Sequence, residues 1–312
     1  MNVLVTGGSG YVGTMLVNDL LSHFHQVTVL DNDWFGNKLV PSSNLSLWKG
    51  DIRELDCYCF NDFDSIIHLA NIANDPAVEL NPKLSWEVNV LASQQLIEKA
   101  IDSDIKQFIF ASSGSVYGIR NEEKVTEELK PVPISTYNKT KMIAERVFLS
   151  YRENIKVHCV RPATVCGWSP QMRLDVCVNL LTFQALKEGK ITVFGGDQIR
   201  PNIHIRDLCD VYMHFLENPQ LDSGFYNAGF ENFSIIQIAQ MISKEIPCQI
   251  EIQDSNDPRC YRQNSDKLKT TGFLSRYCVK DAIEEIKKQY EKGILLDDPR
   301  FHRVTWMKKM KF

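Results

Sequence analysis

Two side chains four residues apart carry the clearest chemical signal in the sequence. Tyr137 and Lys141 lie at the start of a predicted helix, so both project from the same helical face. A free tyrosine has a pKa of about 10 and is a poor base at neutral pH. A neighbouring ammonium, a cationic ligand and a helix N-terminus would each favour the phenolate. The spacing therefore predicts a tyrosine that exchanges a proton with a substrate hydroxyl, with Lys141 beside it.

A serine-rich segment supplies hydroxyl groups for the same chemistry. Ser112, Ser113 and Ser115 directly follow the apolar run Gln107–Ala111, which reads as a strand. A hydroxyl that emerges at the carboxyl end of a parallel strand faces the crevice where ligands bind. We predict that Ser113 hydrogen-bonds the reacting oxygen and orients it towards Tyr137. Ser115 is a second candidate for substrate contact, although Ser112 and Ser115 are also suited to capping a turn.

The N-terminal strand runs into a glycine string that opens a helix. Gly7, Gly10 and Gly13 recur every third residue, with Tyr11 and Val12 between the last two. Missing side chains let the backbone approach a pyrophosphate, and the N–H groups of the helix start attract its charge. Such a string also makes ordinary turns, but its position between a strand and a helix predicts dinucleotide binding.

Acidic residues after the next two strands indicate which dinucleotide is bound. The second strand ends at Asp31, whose carboxylate can accept both ribose hydroxyls of an adenosine. Asn32 and Asp33 follow, and no Lys or Arg comes before residue 38. Two acids would repel a 2′-phosphate, so we expect NAD rather than NADP. Asp51 and Ile52, after the third strand, are predicted to flank the adenine.

These residues must be positioned by an alternation of strands and helices. The predicted strands are Val3–Thr6, Gln26–Leu30, Leu45–Lys49, Ser65–Leu69, Gln107–Ala111 and Lys156–Val160. The predicted helices are Tyr11–Ser22, Leu84–Ile101 and Thr136–Ser150, then Leu174–Lys187, Asp207–Leu216, Ile235–Lys244 and Asp281–Tyr290. This alternation favours an α/β fold with a doubly wound parallel sheet and a smaller, mixed α/β C-terminal lobe. We expect a dinucleotide-binding domain over residues 1–165, joined by some later segments. We expect a substrate lobe over residues 166–292. It is followed by a C-terminal extension over residues 293–312, which has no clear periodicity.

Composition narrows the class of protein. The 312 residues include 35 Lys and Arg against 39 Asp and Glu, so the net charge is −4. A mildly acidic chain lacks the global attraction to phosphate backbones that most nucleic-acid binders show. No stretch approaches the roughly 20 apolar residues that a membrane span needs. Nine cysteines are scattered without zinc-site spacing. We therefore expect a cytoplasmic enzyme with reduced thiols and no metal, nucleic-acid or membrane partner.

Together these motifs resemble the extended short-chain dehydrogenase/reductase family, specifically its nucleotide-sugar epimerases and dehydratases. The resemblance covers about residues 1–290. It rests on Thr6–Gly13, His68–Ala70, Asn89–Val90, Ser112–Gly118, Tyr137–Lys141, Arg161–Pro162 and Arg200–His204. It implies a Rossmann fold, an enzyme that uses NAD, and a nucleotide-diphosphate sugar as substrate.

The same resemblance assigns roles to single residues. It makes Tyr137 the acid/base and Lys141 the residue that positions the nicotinamide ribose, while Ser113 holds the substrate hydroxyl. It lines the NAD site with Leu69, Ala70, Asn89, Ala163 and Val165. It assigns the substrate diphosphate and ribose to Asn179, Arg200, Arg259 and Arg262. Guanidinium groups suit this role because they bind phosphate oxygens in a bidentate way. Finally, helices Leu84–Ile101 and Thr136–Ser150 resemble those of a four-helix dimer interface, which predicts a homodimer.

One departure from the family pattern limits the reaction. The family's dehydratases have Thr-Asp-Glu where this chain has Ser113-Gly114-Ser115, and a Gly-Ser pair cannot protonate and eliminate water. Oxidation at C4 then leads either to re-reduction from the other face, a 4-epimerase, or to release of the 4-keto sugar. The block Pro170–Asp175 resembles a subgroup containing bacterial capsular-heptose C4 oxidases, whose substrate would be a GDP-heptose. A non-catalytic NAD sensor is the alternative from another class, and the sequence specifies neither base nor sugar.

Overall fold

The computed structural model describes residues 1–255 and 260–311. The strands are β1 (Asn2–Thr6), β2 (Gln26–Asp31), β3 (Leu45–Lys49), β4 (Ser65–His68), β5 (Gln107–Ala111), β6 (Lys156–Pro162), β7 (Thr164–Cys166), β8 (Lys190–Phe194), β9 (Ile199–His204), β10 (Gly224–Ala228), β11 (Glu231–Ser234) and β12 (Gln249–Gln253). The α-helices are α1 (Tyr11–Ser22), α2 (Asp75–Val78), α3 (Pro82–Trp86), α4 (Ser93–Asp102), α5 (Thr136–Ser150), α6 (Cys177–Glu188), α7 (Ile205–Glu217), α8 (Ile235–Glu245), α9 (Asp266–Thr270), α10 (Val279–Glu291) and α11 (Arg303–Met310).

A parallel sheet of seven strands forms the centre of the molecule. Its order is β10-β6-β5-β4-β1-β2-β3. Alternate residues of β1 face opposite sides: Val3 and Val5 pack with α1 and α7, whereas Leu4 packs with α4 and α5. Helices thus cover both faces, which explains why the inner strands are apolar throughout. The chain order reverses between β1 and β4, so a crevice opens at the carboxyl ends of these strands.

Two small sheets build the second lobe. Strands β11, β9 and β7 form a mixed sheet, and β12 pairs in parallel with β8. Helices α6, α8 and α10 pack around an apolar cluster with β8. The predicted fold class, a doubly wound parallel sheet with a smaller mixed α/β lobe, is therefore confirmed. Strand β10 returns from the second half of the chain to the large sheet, whereas the domain limits at residues 165 and 292 stay a prediction.

The predicted helix Leu84–Ile101 is interrupted. Asn81 caps the short helix α3 by accepting a hydrogen bond from the Leu84 backbone N–H at 3.1 Å. A π-helical turn over Glu87–Ala92 separates α3 from α4. The Ser93 hydroxyl donates to the Val88 carbonyl five residues earlier, at 3.1 Å, and also contacts Nε2 of buried His68 at 2.9 Å. The wider turn therefore coincides with a polar link from the helix to β4, which periodicity alone does not reveal.

The C-terminal extension is more ordered than its sequence pattern predicts. It contains α11, whose Arg303 and Met307 are buried although its other described residues are half-buried or exposed. Two buried positions in a short helix are too few to give a recognisable apolar period. Upstream, the Phe301 carbonyl accepts a hydrogen bond from the Leu174 N–H at 2.9 Å. The extension is thus joined to the segment that precedes α6.

A buried ion pair joins β6 to α5. Arg161 and Glu145 each expose 1% of their side chains, and two parallel N–H···O bonds of 2.7 Å connect them. A third N–H of Arg161 donates to the Tyr117 hydroxyl at 2.8 Å, and that hydroxyl in turn donates to Asn227 at 2.9 Å. The Ser112 hydroxyl donates to Glu145 at 2.5 Å. This network ties the segment after β5 to the helix that carries Tyr137 and Lys141.

We predict that Glu145→Gln lowers the free energy of unfolding by about 3–5 kcal/mol, because it leaves the Arg161 guanidinium buried without its counter-charge. Urea unfolding followed by circular dichroism measures this loss. Glu153→Gln is the control, since its contact with Arg152 lies at the surface and we expect little change there. Equal, small effects of the two substitutions would contradict the importance of the buried pair.

Candidate active site

One elongated cleft crosses the carboxyl ends of the central strands. It extends from the loops after β2 and β3, over the loop after β1, to the start of α5. Most of the residues predicted to bind the cofactor line it: Gly7, Gly10, Tyr11, Val12, Gly13, Asp31, Asn32, Asp51, Ile52, Leu69, Ala70, Tyr137, Lys141 and Val165. The predicted phosphate loop and the predicted acid/base therefore share one cleft.

The three glycines of the first loop serve different purposes. A Cβ on Gly7 would lie 2.5 Å from the Ala70 backbone N, and one on Gly13 would lie 2.4 Å from the Gly7 carbonyl oxygen. These two glycines are thus required by close backbone packing. A Cβ on Gly10 would meet one atom within 4 Å, the Gly7 oxygen at 3.2 Å. Gly10 precedes α1, so the helix start is open to an anion from the cleft.

Two backbone hydrogen bonds orient the carboxylate of Asp31. One carboxylate oxygen accepts the Ser9 N–H at 3.0 Å and the other accepts the Asp33 N–H at 2.9 Å. Burial raises the pKa of Asp31, and the two backbone hydrogen bonds oppose this effect. Asp51 lies nearby and pairs with Arg53 at 2.9 Å. An open helix start next to an oriented carboxylate fits the adenosine diphosphate half of a dinucleotide.

Tyr137 lies at the other end of the cleft. Its pKa is raised to about 12, mainly by desolvation and to a smaller extent by the charge of Asp75. A hydrogen bond with Ser113 and the charge of Arg173 act in the opposite direction. The chain by itself therefore holds this tyrosine as a neutral phenol. The charge that lowers this pKa is that of Arg173, and an effect of Lys141 on Tyr137 stays a prediction.

Lys141 is turned towards the end of β5. Its ammonium donates to the Ala111 carbonyl at 2.8 Å and lies 4.7 Å from the centre of the Phe110 ring. Burial lowers the pKa of Lys141 to about 7, although Glu145, one turn along α5, opposes this shift. The predicted helical face is correct, since both side chains line the cleft. The carbonyl at the strand end directs the ammonium, a contact that spacing along a helix cannot predict.

The serine-rich segment engages its three hydroxyl groups in hydrogen bonds within the protein, and Ser112 is the one of them that lines the cleft. Ser112 is engaged with Glu145, as described above. The Ser113 and Ser115 hydroxyls are 2.7 Å apart, and the Asn138 side-chain amide donates to Ser115 at 2.9 Å. Ser113 also accepts the Ser115 backbone N–H at 3.2 Å, which caps a 3-10 turn. The structure thus brings Ser113 next to Tyr137, as the sequence predicts, and links Ser115 to α5.

Three predicted contact residues lie behind the cleft wall. The Asn89 side chain accepts the Ile72 N–H at 2.8 Å and donates to the Ile72 carbonyl at 3.1 Å, so it supports a residue that lines the cleft. Ala163 donates its N–H to Ala228 at 2.8 Å, in the seam between β6 and β10. Asn179 is fully buried: its oxygen accepts the Gly167 N–H at 3.0 Å, and its amide donates to Tyr11 and to the Arg173 carbonyl. Asn179 thus bridges three segments of the wall, and its predicted binding of the substrate diphosphate stays a prediction.

Two of the predicted arginines of the substrate side, Arg200 and Arg262, are among the described residues. Arg200 is half-buried in β9. Arg262 is exposed, and its backbone carbonyl accepts a hydrogen bond from the Val125 N–H at 2.8 Å. Neither lines the cleft. Arg259 lies outside the described residues. Binding of the substrate by these arginines stays a prediction.

Several residues that line the cleft escaped the sequence analysis as ligand contacts. They are Trp34, Phe35, Arg173, Tyr212, Arg303 and Met307. Trp34 and Phe35 come three and four residues after Asp31, so their place near the acid gave a usable signal. Arg303 and Met307 gave none, because they come from the last helix of the chain.

Two further findings bear on the class of protein. Across residues 1–255 and 260–311, no three His, Cys, Asp or Glu side chains lie close enough together to hold a metal ion. In the same part of the chain, no helix has the length and apolar character to cross a membrane.

Comparison with known proteins agrees with this geometry. A UDP-glucose 4-epimerase of Halalkalibacterium halodurans is 29% identical over 308 residues, covering 89% of this chain and 91% of that protein. The UDP-glucuronic acid 4-epimerase of Bacillus cereus, solved with UDP-glucuronic acid and NAD, is 25% identical with a TM-score of 0.81. This match covers 94% of this chain and all of that one. The UDP-glucose 4-epimerase of Thermotoga maritima, at 23% identity, shares the fold with a TM-score of 0.84 over 95% of this chain and all of that one.

The family model that matches the chain settles its class. The model of the NAD-dependent epimerase/dehydratase family matches residues 3–229, which include the glycine loop, Asp31, Ser113, Tyr137 and Lys141. The predictions of an enzyme, of NAD as cofactor and of the nucleotide-sugar epimerase/dehydratase group are confirmed. The chain is an enzyme of the NAD-dependent epimerase/dehydratase family.

Proposed function

We propose that this enzyme is a nucleotide-sugar 4-epimerase that acts through a 4-keto intermediate. The hydrogen bond between Ser113 and Tyr137, at the end of the cleft away from Asp31, carries the proposal. A sugar hydroxyl that replaces this bond would contact both side chains at once. Ser113 would orient it, and Tyr137 would remove its proton and later return it. NAD, when bound, would accept the hydride that leaves C4 of the sugar and would be the source of the hydride that returns to it.

The surroundings of Tyr137 favour proton transfer. Arg173 is the cation of this chain that stabilises the phenolate, and its own side chain is fixed by Asp175 at 2.9 Å. Lys141 lies one helical turn away, where its ammonium can reach a ribose hydroxyl in the cleft. The two cations therefore have separate tasks, one acting on the phenol and one positioning the cofactor.

Geometry next to Ser113 argues against elimination of water. A Cβ on Gly114 would lie 2.8 Å from the side-chain oxygen of Gln263. Gln263 is held by a 2.6 Å hydrogen bond to the Arg161 carbonyl, and it lies 2.9 Å from the Cβ position of Gly229. A carboxylate therefore has no room at position 114 unless Gln263 moves. The Ser115 hydroxyl is a weak acid at neutral pH, so neither position supplies the acid of a dehydratase.

We predict that Tyr137→Phe lowers the rate of epimerisation by more than about 100-fold, because the phenylalanine cannot exchange the proton. Binding of NAD should persist, since the aromatic ring is kept. Tyr151→Phe, at the end of the same helix, is the control: its hydroxyl contacts Glu98 at 2.5 Å, away from the cleft. Near-normal turnover by the Tyr137 variant would end the assignment.

A panel of nucleotide sugars separates epimerase from C4 oxidase. UDP-sugars come first, because the relatives described above are named for them, followed by GDP-, CDP- and dTDP-sugars. An epimerase converts its substrate with no net change in bound NAD. Steady accumulation of bound NADH, together with dependence on an added electron acceptor, would instead identify the oxidase. No turnover on any of the sugars would favour the non-catalytic sensor.

We also propose a homodimer built on α4 and α5. Leu91 is 57% exposed on the π-turn before α4, Trp86 is exposed at the end of α3, and Ile134 is exposed just before α5. Exposed apolar side chains beside helices that already pack on the core are typical of an interface between subunits.

We predict that Leu91→Glu halves the molecular mass in solution, because two buried carboxylates would face each other across the interface. Light scattering at micromolar concentration measures the mass. Val40→Glu, at a loop residue that is 66% exposed, should leave the dimer intact. A wild-type protein with the mass of a monomer would refute the proposed assembly.

A further inference from the structure

The last helix covers one end of the cofactor cleft. Arg303 and Met307, one turn apart on α11, line the cleft together with Phe35 and Asp31. The Trp306 side-chain N–H donates to the Trp34 carbonyl at 2.8 Å. The helix is therefore attached to the loop that follows β2, and its buried face points into the cofactor site.

Arg303 is a buried cation without a counter-charge in contact. Its side chain is 6% exposed, and its guanidinium stacks on the Phe35 ring at 4.0 Å. One terminal nitrogen, Nη1, has no hydrogen-bond partner in the described ranges 1–255 and 260–311. Burial and, to a smaller extent, the charge of Arg173 lower the pKa of Arg303 to about 9. A buried guanidinium with an unused N–H is costly unless something binds it.

The acids that surround Arg303 are engaged with other groups. Asp31 accepts two backbone N–H groups, Asp175 pairs with Arg173 at 2.9 Å, and Asp298 pairs with Arg300 at 2.5 Å. None of them forms an ion pair with Arg303 in the part of the chain that the structure describes. Arg173 and Arg303, by contrast, line the same cleft and repel each other. An anion between them would relieve both the repulsion and the unused N–H.

We propose that Arg303 binds the phosphate of NAD that lies next to the adenosine ribose. This phosphate is the anion that belongs between Asp31, the predicted ribose acceptor, and the open start of α1 at Gly10. A guanidinium suits it because several N–H groups meet the phosphate oxygens at once. Helix α11 then acts as a cover that keeps the cofactor in place. The proposal depends on NAD binding and not on the reaction assigned above.

The test compares Arg303→Met with the wild type as full-length protein freed of nucleotide by charcoal treatment. Titration calorimetry gives the Kd for NAD, and thermal unfolding gives the stability without NAD. We expect the Kd to rise roughly 10- to 100-fold, the loss typical of a hydrogen bond to a charged group. Stability without NAD should stay the same or increase, because methionine replaces a buried, unpaired cation.

Two variants control the result. Lys308→Met makes the same change of cation to thioether at an exposed position of the same helix, and it should leave the Kd unchanged. Arg303→Lys keeps the charge without the planar fork, and its Kd should lie between those of the wild type and of Arg303→Met.

Four results would overturn the proposal. An unchanged Kd for NAD is the first, and a fall in stability without any change in Kd, which indicates a purely structural role, is the second. A loss restricted to NADP would assign Arg303 to a 2′-phosphate instead. An effect confined to the KM of the nucleotide sugar would assign it to the phosphates of the substrate.

Discussion

The buried ion pair between Arg161 and Glu145 is the contact on which the geometry of the site depends. It links the end of β6 to α5, and through Ser112 it reaches the segment after β5. Lys141 donates to the last residue of β5 from the same helix. Helix α5, which carries Tyr137 and Lys141, and the serine-rich segment after β5 therefore belong to one hydrogen-bonded unit. Displacing α5 relative to the sheet would require breaking charged hydrogen bonds in a medium of low dielectric constant.

The same low dielectric constant decides the protonation states at rest. Burial raises the pKa of Tyr137 to about 12 and lowers that of Lys141 to about 7. Both shifts favour the neutral form, as desolvation dictates. Because the positive charge of Arg173 does not offset this cost at Tyr137, the chain alone provides a weak base. We therefore expect Tyr137 to act as an acid/base only when ligands are bound in the cleft, and not in the folded chain by itself.

Sequence patterns predict those parts of this protein that depend on local chemistry. The strand–helix alternation gave six strands of the large sheet, and α1 and α5 begin and end where their sequence signals indicate. The glycine loop and Asp31 were found because their function follows from their place after a strand. Contacts between distant segments were not accessible in this way. Three features depend on such tertiary contacts. The Lys141 ammonium donates to the Ala111 carbonyl, and the Asn179 side chain is hydrogen-bonded to Gly167 and Tyr11. Helix α11 packs over the cleft.

The position of Gln263 has a consequence for how reaction types diverge in such a fold. This residue comes from the second half of the chain, yet its side chain fills the space beside Gly114 in the first half. Acquiring an acid at position 114 would clash while Gln263 remains, and shortening Gln263 alone would open a void and release the Arg161 carbonyl. An acid at position 114 therefore requires a shift of Gln263, so the residue next to Ser113 is coupled to a side chain from the other half of the chain.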